Sequence, residues 1–355
     1  MSSFDIIDAD GHVYERDSEL FDYLEPPYAG KQSILAFPFW PTIDGFQRGA
    51  IQARLNIHKS LETTAQIWLN FLDQAGIAQT VLYPTAGLAS GFIKDPEWAA
   101  AVTRAYNNWL CDRYCRVSPR LLGMALIPLQ DPAAAVHELR HAVTQLGMVG
   151  AVLPATGLRL PLGHSQFDPV YAEAERLGCA LAVHGGPSQG LGLDLLDKFA
   201  QMHTLSHPFA QMIQVTSIIM SGVLDRFPRL HIAFLEAGVS WVPFLMDRMD
   251  RSYEIRQRPE YVGGVKQKPS TYVKNGQVFF SVDPGESTLS TVFQTLGVDS
   301  LFFASDFPHE VNLQRCQQEL SLLMEMEGLT EADKRHLFCD NTRRFYRLAE
   351  RTKTS

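Results

Sequence analysis

Short apolar runs alternate with segments of helical periodicity along most of this chain. The first run, Phe4 to Ile7, is followed by Gly11 and predicts a buried strand that gives way to a loop. Seven further apolar runs follow, and continuous apolar strands that alternate with helices are typical of a parallel sheet buried on both faces. After the first, the predicted strands are 79–83, 121–127, 149–154, 180–184, 230–236, 278–282 and 301–305.

The helical patterns complete this alternation. Eight strand–helix units favour a closed (β/α)8 TIM barrel of the α/β class over a doubly wound sheet, and no G-x-G-x-x-G follows the first strand to support a dinucleotide fold. Since no linker divides the chain, we expect a single domain over residues 1–355. The predicted helices are 60–75, 96–117, 132–146, 169–177, 209–225, 241–255, 286–296, 313–327 and 331–337, with C-terminal helices over 313–355.

A long insertion, residues 14–60, follows the first strand. It is rich in proline, glycine and aromatic residues, as in the run FPFWP at 37–41. A loop of this length in a compact protein is usually functional. We therefore expect a lid over the barrel mouth, in which Trp40 contacts the substrate and helps to exclude water. A lid without a chemical role is the alternative.

Charge and composition argue against several kinds of partner and site. The chain has 31 Lys and Arg against 39 Asp and Glu, a net charge of −8, and no basic cluster, so we expect no nucleic-acid partner. The chain lacks a signal-peptide pattern and an uninterrupted apolar run of about 18 residues, so we expect a cytoplasmic protein without a membrane span. The five cysteines are scattered without a C-x-x-C pair, which argues against disulfides and structural zinc.

Ionisable side chains stand where four of the predicted strands end. Active sites of such barrels lie at these C-terminal strand ends. A turn cap explains any one of these residues, but several buried ionisable groups are costly unless they are paired or bind a metal. A metal site is therefore expected. In chain order the residues are Asp8, Asp10, His12, His184, Glu236, Asp306 and His309.

His207 is a further candidate ligand. It lies just before the predicted helix 209–225, and the loop that leads to it from His184 should cross the barrel mouth. A helix-entry or surface histidine and a metal ligand are both open interpretations.

The order of these motifs resembles a known family. D-x-D-x-H at 8–12, H-G-G at 184–186, E-A-G-V-S-W at 236–241 and F-A-S-D-F-P-H at 303–309 resemble the amidohydrolase-related (amidohydrolase 2) branch of the metal-dependent TIM-barrel superfamily. The closing D-N-T-R-R-F-Y at 340–346 is similar to its C-terminal signature, so the resemblance spans essentially the full chain. It implies a dimer, a small-molecule substrate, a supporting or turn-capping Asp8, and metal ligands at Asp10, His12, His184 and Asp306.

The sixth strand departs from that family. Its zinc or manganese decarboxylases usually carry a catalytic histidine in an H-x-G context where this chain has Glu236. A carboxylate is ordinarily ionised at neutral pH and lacks a proton to donate, which argues against decarboxylation. Glu236 and His207 would instead hold a second metal ion. The complete ligand set would then be Asp10, His12, His184, His207, Glu236 and Asp306.

This set, with the H-P-F and E-A-G-V-S-W segments, looks like the offshoot of non-haem di-iron oxygenases in the same superfamily. Imidazole and carboxylate ligands without thiolate suit iron and manganese. We therefore expect two iron ions, Glu236 and His207 as catalytic residues, and oxidation by dioxygen of a small organic or acyl substrate, such as one linked to coenzyme A. The residues expected to contact the substrate are Trp40, Trp241, Arg248 and His309.

Two other interpretations stay open. With a single zinc or manganese ion, the chain would be a decarboxylase or hydrolase of a carboxylate substrate, with Glu236 as a general base. The other is a barrel that binds a small ligand without catalysis. Arg248 is equally interpretable as a solvated surface residue.

Overall fold

The structure, a computed structural model, describes residues 4–31, 38–41, 63–255 and 264–349. Eight strands form one sheet in sequential order, and each pairs in parallel with the next. The predicted (β/α)8 barrel is confirmed. The strands are β1 Ile6–Val13, β2 Ile77–Pro84, β3 Leu121–Leu126, β4 Gly150–Pro154, β5 Ala180–His184, β6 Ile232–Leu235, β7 Val278–Val282 and β8 Leu301–Phe303.

Helices separate these strands and cover the outside of the barrel. In the described residues they are α1 Asp17–Leu20, α2 Ala65–Ala75, α3 Pro96–Leu110, α4 Pro132–Thr144, α5 Asp168–Leu177, α6 Phe199–Met220, α7 Val223–Arg226, α8 Trp241–Ile255, α9 Pro269–Lys274, α10 Leu289–Leu296, α11 Leu313–Met324, α12 Glu331–Arg335 and α13 Asn341–Tyr346. A π-helical turn, Cys111–Cys115, extends α3, and another, His336–Asp340, joins α12 to α13.

Helix α6 differs most from the sequence-based prediction. It begins at Phe199, ten residues before the predicted start at Phe209, and contains Pro208 in its interior. A proline removes one backbone donor and normally disfavours such a position. The helix continues through it because its inner face, including Met202, His207 and Gln211, is buried. His207 therefore lies on a helix and not in a loop before it.

The end of β1 is shaped by a close approach of α2. A Cβ at Gly11 would overlap the indole ring of Trp68, so only glycine fits between the two elements. The Trp68 indole N–H donates to the carbonyl oxygen of His12 at 3.1 Å. This contact holds the strand that carries the first ionisable cluster.

The barrel closes between β1 and β8 through a small set of polar contacts. Asp306 N–H donates to Asp10 O at 2.9 Å, and His12 N–H donates to Phe307 O at 2.7 Å. The buried Asp8 carboxylate accepts from the backbone N–H and the hydroxyl of Ser305, both at 2.8 Å, and from the Thr80 hydroxyl at 2.7 Å. Asp8 thereby joins β1, β2 and the residues after β8.

The described parts of the predicted lid pack onto the barrel. Phe39 N–H donates to Asp17 at 3.1 Å, the Phe39 ring meets the edge of Phe21 with centroids 4.8 Å apart, and Trp40 is buried. Residues 32–37 and 42–62 lie outside the described residues, so a lid over 14–60 stays a prediction. Within the described ranges, no helix has the length and apolarity that crossing a membrane requires.

The seam between β1 and β8 generates a stability prediction. We expect Asp8→Ala to lower the free energy of unfolding by about 3 kcal/mol, because it leaves several buried donors without an acceptor. Ser305→Ala, which removes a hydroxyl and leaves the backbone donor in place, should cost about 1 kcal/mol. Urea unfolding curves of the two variants give the comparison. Equal losses of unfolding free energy in the two variants would show that Asp8 does not connect β1 to the residues after β8.

Candidate metal centre

Ionisable side chains from three strand ends converge at the mouth of the barrel. Asp10 and His12 come from β1, His184 is the last residue of β5, and Glu236 follows β6. Their nearest ligand atoms all lie within 4.8 Å of one another. A second set with the same property contains His12, Glu236, Asp306 and His309. Because the two sets share His12 and Glu236, they form one continuous cluster.

Strand geometry explains the first corner of this cluster. Side chains two residues apart on β1 lie on one face, and Asp8, Asp10 and His12 are all buried there. Asp8 is occupied by its hydrogen bonds to Thr80 and Ser305. Burial still raises the pKa of Asp8 to about 6. Asp10 and His12 are the members of this row that face the other strand ends.

His12 and His184 both present their Nε2 atom to the cluster. His12 Nδ1 donates to the carbonyl oxygen of Pro84 at 2.9 Å, and His184 Nδ1 donates to that of Gly185 at 2.8 Å. A carbonyl only accepts, so each neutral ring carries its lone pair on Nε2. His184 Nε2 lies 3.2 Å from Asp10 Oδ2 and 3.2 Å from Glu236 Oε2. Such backbone contacts are how metal-binding histidines are commonly oriented.

Several atoms that point into the cluster are buried and lack a hydrogen-bond partner. They are His12 Nε2, His184 Nε2, Asp10 Oδ1 and Glu236 Oε2. Unpartnered polar atoms in this number are rare in a folded protein because each one costs desolvation energy. Lone pairs from two imidazoles and two carboxylates match the ligand preferences of a divalent ion such as manganese or zinc. The residues present therefore fit a metal ion.

Two of the carboxylates stand on unusual backbone. Glu236 has φ 53° and Asp306 has φ 52°, in the left-handed region that side-chain-bearing residues seldom adopt. The departure at Glu236 explains why β6 ends at Leu235, before the predicted end at 236, whereas β8 ends at Phe303, before the predicted end at 305. Backbone strain of this kind persists where surrounding contacts impose it, and it is common at functional sites. Here it turns both carboxylates toward His12, at 3.7 Å and 3.6 Å.

The cluster without a cation retains protons. Burial raises the pKa of Asp10, and burial together with the nearby charge of Asp306 raises the pKa of Glu236 to about 8. Burial alone would lower the pKa of His184, but the Asp10 and Glu236 carboxylates outweigh it and raise the pKa to about 9. In the absence of a cation, burial therefore favours the protonated form of Glu236 more than its residue type alone suggests. A divalent ion entering the cluster would displace such protons.

His309 lies beside the cluster and is part of its second set. Its Nδ1 is 2.8 Å from Asp306 Oδ1, and its Nε2 is 2.9 Å from the Thr85 hydroxyl. The ring stacks on His12 with centroids 3.9 Å apart. Burial lowers the pKa of His309, but the Asp306 carboxylate outweighs it and raises the pKa to about 9. The sequence alone did not indicate Thr85 as its partner.

His207 lies beside Glu236. Its Nε2 is 3.5 Å from Glu236 Oε1, and its ring lies so close to Gly185 that a Cβ there would overlap it. Burial lowers the pKa of His207 to about 3. Among the described residues, neither convergent set includes His207. The predicted second metal position formed by Glu236 and His207 is therefore not assembled as a separate ligand cluster.

The remaining predicted substrate residues lie in different surroundings. Trp241 is partly buried, donates its indole N–H to Ala237 O at 2.9 Å and meets the edge of Phe280. Arg248 is exposed on α8, and Trp40 is buried within the core. Contact of these three residues with a substrate stays a prediction.

Comparison with known proteins decides the family. The family model described as amidohydrolase (Amidohydro_2) matches residues 7–348. The chain belongs to this amidohydrolase family. A decarboxylase of γ-resorcylate from Rhizobium radiobacter is 28% identical over 292 residues, which cover 79% of this chain and 86% of the relative.

Solved structures share the fold of this amidohydrolase. The 5-carboxyvanillate decarboxylase of Sphingomonas paucimobilis superposes with a TM-score of 0.76 and 21% identity, covering 98% of this chain and 100% of the other. The dihydroxybenzoic acid decarboxylase of Polaromonas, solved with manganese and 2-nitroresorcinol, has a TM-score of 0.72 and 20% identity, with 97% of each chain covered.

These relatives correct the expected reaction. The prediction of a di-iron oxygenase acting with dioxygen is wrong, because the curated relatives that match the chain are decarboxylases. Two iron ions are likewise unsupported, since the structural relative from Polaromonas holds manganese and the convergent side chains form one overlapping cluster. The error came from the resemblance of the H-P-F and E-A-G-V-S-W segments to the di-iron offshoot, together with the interpretation of Glu236 and His207 as a second ligand pair.

The cluster generates a prediction about metal binding. We expect His12→Gln and His184→Gln each to weaken manganese(II) binding at least about 100-fold, because each removes an oriented Nε2 lone pair. His164→Gln, which alters an exposed histidine, is the control and should bind like the unmodified protein. Isothermal titration of the metal-free proteins measures the three affinities. Undiminished binding in His184→Gln would place the metal elsewhere.

Proposed function

We propose that this amidohydrolase is a metal-dependent decarboxylase of a small aromatic carboxylic acid. The observation that carries the proposal is the cluster of unpartnered imidazole and carboxylate atoms at the barrel mouth. Its support is the set of relatives, which act on γ-resorcylate and related carboxylates. γ-Resorcylate and 6-methylsalicylic acid, which two of these relatives are named for, are hydroxyl-bearing aromatic acids, and we propose the same class here.

In this proposal Asp10, His12, His184 and Asp306 hold one manganese or zinc ion. The bound ion would supply Lewis-acid stabilisation of negative charge on the substrate. His12 and His184 are held in place by backbone carbonyls, so the protein side of the site is oriented before a metal binds.

Glu236 is the residue that we propose transfers the proton. When the bond to the carboxyl group breaks, its electron pair stays on the ring carbon and carbon dioxide leaves. A proton must then reach that carbon, and the Glu236 carboxyl lies at the strand end where the resembling decarboxylases carry a catalytic histidine. His207, 3.5 Å from Glu236 Oε1, orients this carboxyl.

His309 is proposed to bind the substrate carboxylate. Its ring stacks on His12 and faces Asp306 and Thr85, so its charge lies at the edge of the cluster. Trp241, which is partly buried, would line the apolar part of the entrance, and substrate contact by the buried Trp40 and the exposed Arg248 stays a prediction. Association as a dimer stays a prediction from the family resemblance.

Hydrolysis is the second candidate, and one observation favours it. The resembling decarboxylases carry histidine where this chain has Glu236, and a carboxylate is a suitable general base for activating water. The two reactions differ in their product, because only decarboxylation releases carbon dioxide. One assay therefore separates them.

The activity prediction uses the manganese(II)-loaded protein. With 2,6-dihydroxybenzoate or 5-carboxyvanillate as probes, we expect carbon dioxide to form in a one-to-one ratio with substrate consumed, under nitrogen as well as in air. Neither probe carries an ester or amide bond, so a hydrolase would leave both unchanged and form no carbon dioxide. A strict need for dioxygen would contradict the proposal.

A second prediction concerns Glu236 itself. Glu236→Gln should lower kcat by about 100- to 10,000-fold, because it removes a group that transfers a proton in the reaction. Manganese content after gel filtration should stay near that of the unmodified protein, since the amide oxygen preserves the shape of the site. Loss of the metal in this variant would make Glu236 a ligand and not the proton donor.

A further inference from the structure

Helix α6 buries a row of polar side chains against the strand ends. His207, Gln211 and Gln214 are separated by four and three residues, so they lie on one face of the helix, and all three are buried. Buried amides of this kind are retained where they meet hydrogen-bond requirements of the backbone. The two glutamines do so at different places.

Gln211 links the two strands that carry His184 and Glu236. Its side-chain NH2 donates to Val183 O at 3.1 Å and to Leu235 O at 2.9 Å. These carbonyls belong to the residues directly before His184 and Glu236. A single planar amide group therefore sets the spacing between the ends of β5 and β6, where His184 Nε2 and Glu236 Oε2 are 3.2 Å apart.

The peptide group between Leu235 and Glu236 is held from both sides. The side-chain NH2 of Gln211 donates to the carbonyl oxygen of Leu235. The backbone N–H of Glu236 donates to the Ser281 hydroxyl on β7 at 3.0 Å. This peptide leads into the left-handed conformation of Glu236, with φ 53°. A sparsely populated conformation of this kind persists only where surrounding contacts determine it, and these are two such contacts.

We propose that Gln211 is a positioning residue of the metal centre: together with Ser281 it holds the Leu235–Glu236 peptide and so sets Glu236 against His184. The expected effect on catalysis rests on the proposed function. The claim that Gln211 and Ser281 hold the Leu235–Glu236 peptide does not depend on that function. Gln211 makes no contact with substrate in this account. Its effect passes through the backbone.

Gln214 is a matched control on the same helix. Its Oε1 accepts from Leu162 N–H at 2.9 Å, and its NH2 donates to Ala155 O at 2.8 Å, so it also makes two buried hydrogen bonds to backbone. Neither partner is adjacent to Glu236, although the Ala155 N–H donates to the carbonyl oxygen of His184 at 3.1 Å. We therefore expect substitution of Gln211 or of Gln214 to lower the stability by similar amounts. Only substitution of Gln211 frees the Leu235 carbonyl next to Glu236.

The test compares Gln211→Met and Gln214→Met, with Ser281→Ala as a second variant that releases the same peptide from its other side. Hydrogen–deuterium exchange of metal-free protein over residues 232–240 reports on the peptide. Manganese(II) affinity, from the electron paramagnetic resonance of the free ion, and the split between kcat and KM report on the site. Thermal unfolding monitors stability in all three.

We expect faster exchange over 232–240 in Gln211→Met and Ser281→Ala, with manganese affinity or kcat lowered about 10- to 100-fold and KM nearly unchanged. Gln214→Met should resemble the unmodified protein in exchange and affinity, although its unfolding temperature also falls. If Gln211→Met does not fold, Ser281→Ala decides the question by the same measurements.

The inference is overturned if exchange over 232–240 is unchanged, or if Gln214→Met affects exchange and affinity equally. Faster exchange with intact affinity and intact kcat would also overturn it, because the peptide would then be held without consequence for the site. Should the unmodified protein bind no manganese, the proposed function fails, and the exchange comparison still judges the role of Gln211 separately.

Discussion

The structure depends on one electrostatic constraint: buried imidazole and carboxylate atoms converge at the barrel mouth without hydrogen-bond partners of their own. Lone pairs on His12, His184, Asp10 and Glu236 face a common centre, and burial makes each of them costly to leave unpaired. Without a cation the cluster holds protons, and the pKa of His184 rises to about 9. A divalent ion bound by His12, His184 and Asp10 would satisfy three of these atoms with one charge centre and leave Glu236 beside it.

Hydrogen bonds from other parts of the chain hold the strand ends that carry these side chains. Asp8 joins β1 to the residues after β8, and the Tyr346 hydroxyl at the C-terminus donates to Ala9 O at 2.6 Å, between Asp8 and Asp10. Gln211 and Ser281 hold the turn after β6. The supporting residues come from regions of the chain distant in sequence, so the site forms only when the barrel closes.

Much of this was predictable from the sequence, for identifiable reasons. The alternation of apolar strands and helices predicted the barrel, and strand periodicity placed Asp10 and His12 on one inward face. The start of α6 was not predictable, because burial of its inner face outweighs the effect of Pro208. The supporting roles of Gln211 and Ser281 were also missed, although Ser281 is the single polar residue in the apolar strand Val278–Val282, which was the available signal.

The predicted reaction was wrong because two short segments and the residue type at position 236 were taken as marks of a second metal site. Glu236 and His207 do lie close together, as the sequence-based interpretation required, but His207 stands on α6 behind Gly185 and adds no separate ligand cluster among the described residues. The single overlapping cluster and the manganese in the Polaromonas structure favour one metal ion over two iron ions. In the metal-free cluster, burial raises the pKa of the Glu236 carboxyl.

Anomalous diffraction from crystals grown with manganese(II) tests the central claim most directly. We predict one anomalous peak per chain, at about 2.0 to 2.3 Å from the Nε2 atoms of His12 and His184, with Asp10 and Asp306 completing the ligands. Two peaks of comparable height at the barrel mouth, or a single peak away from His12 and His184, would contradict the account.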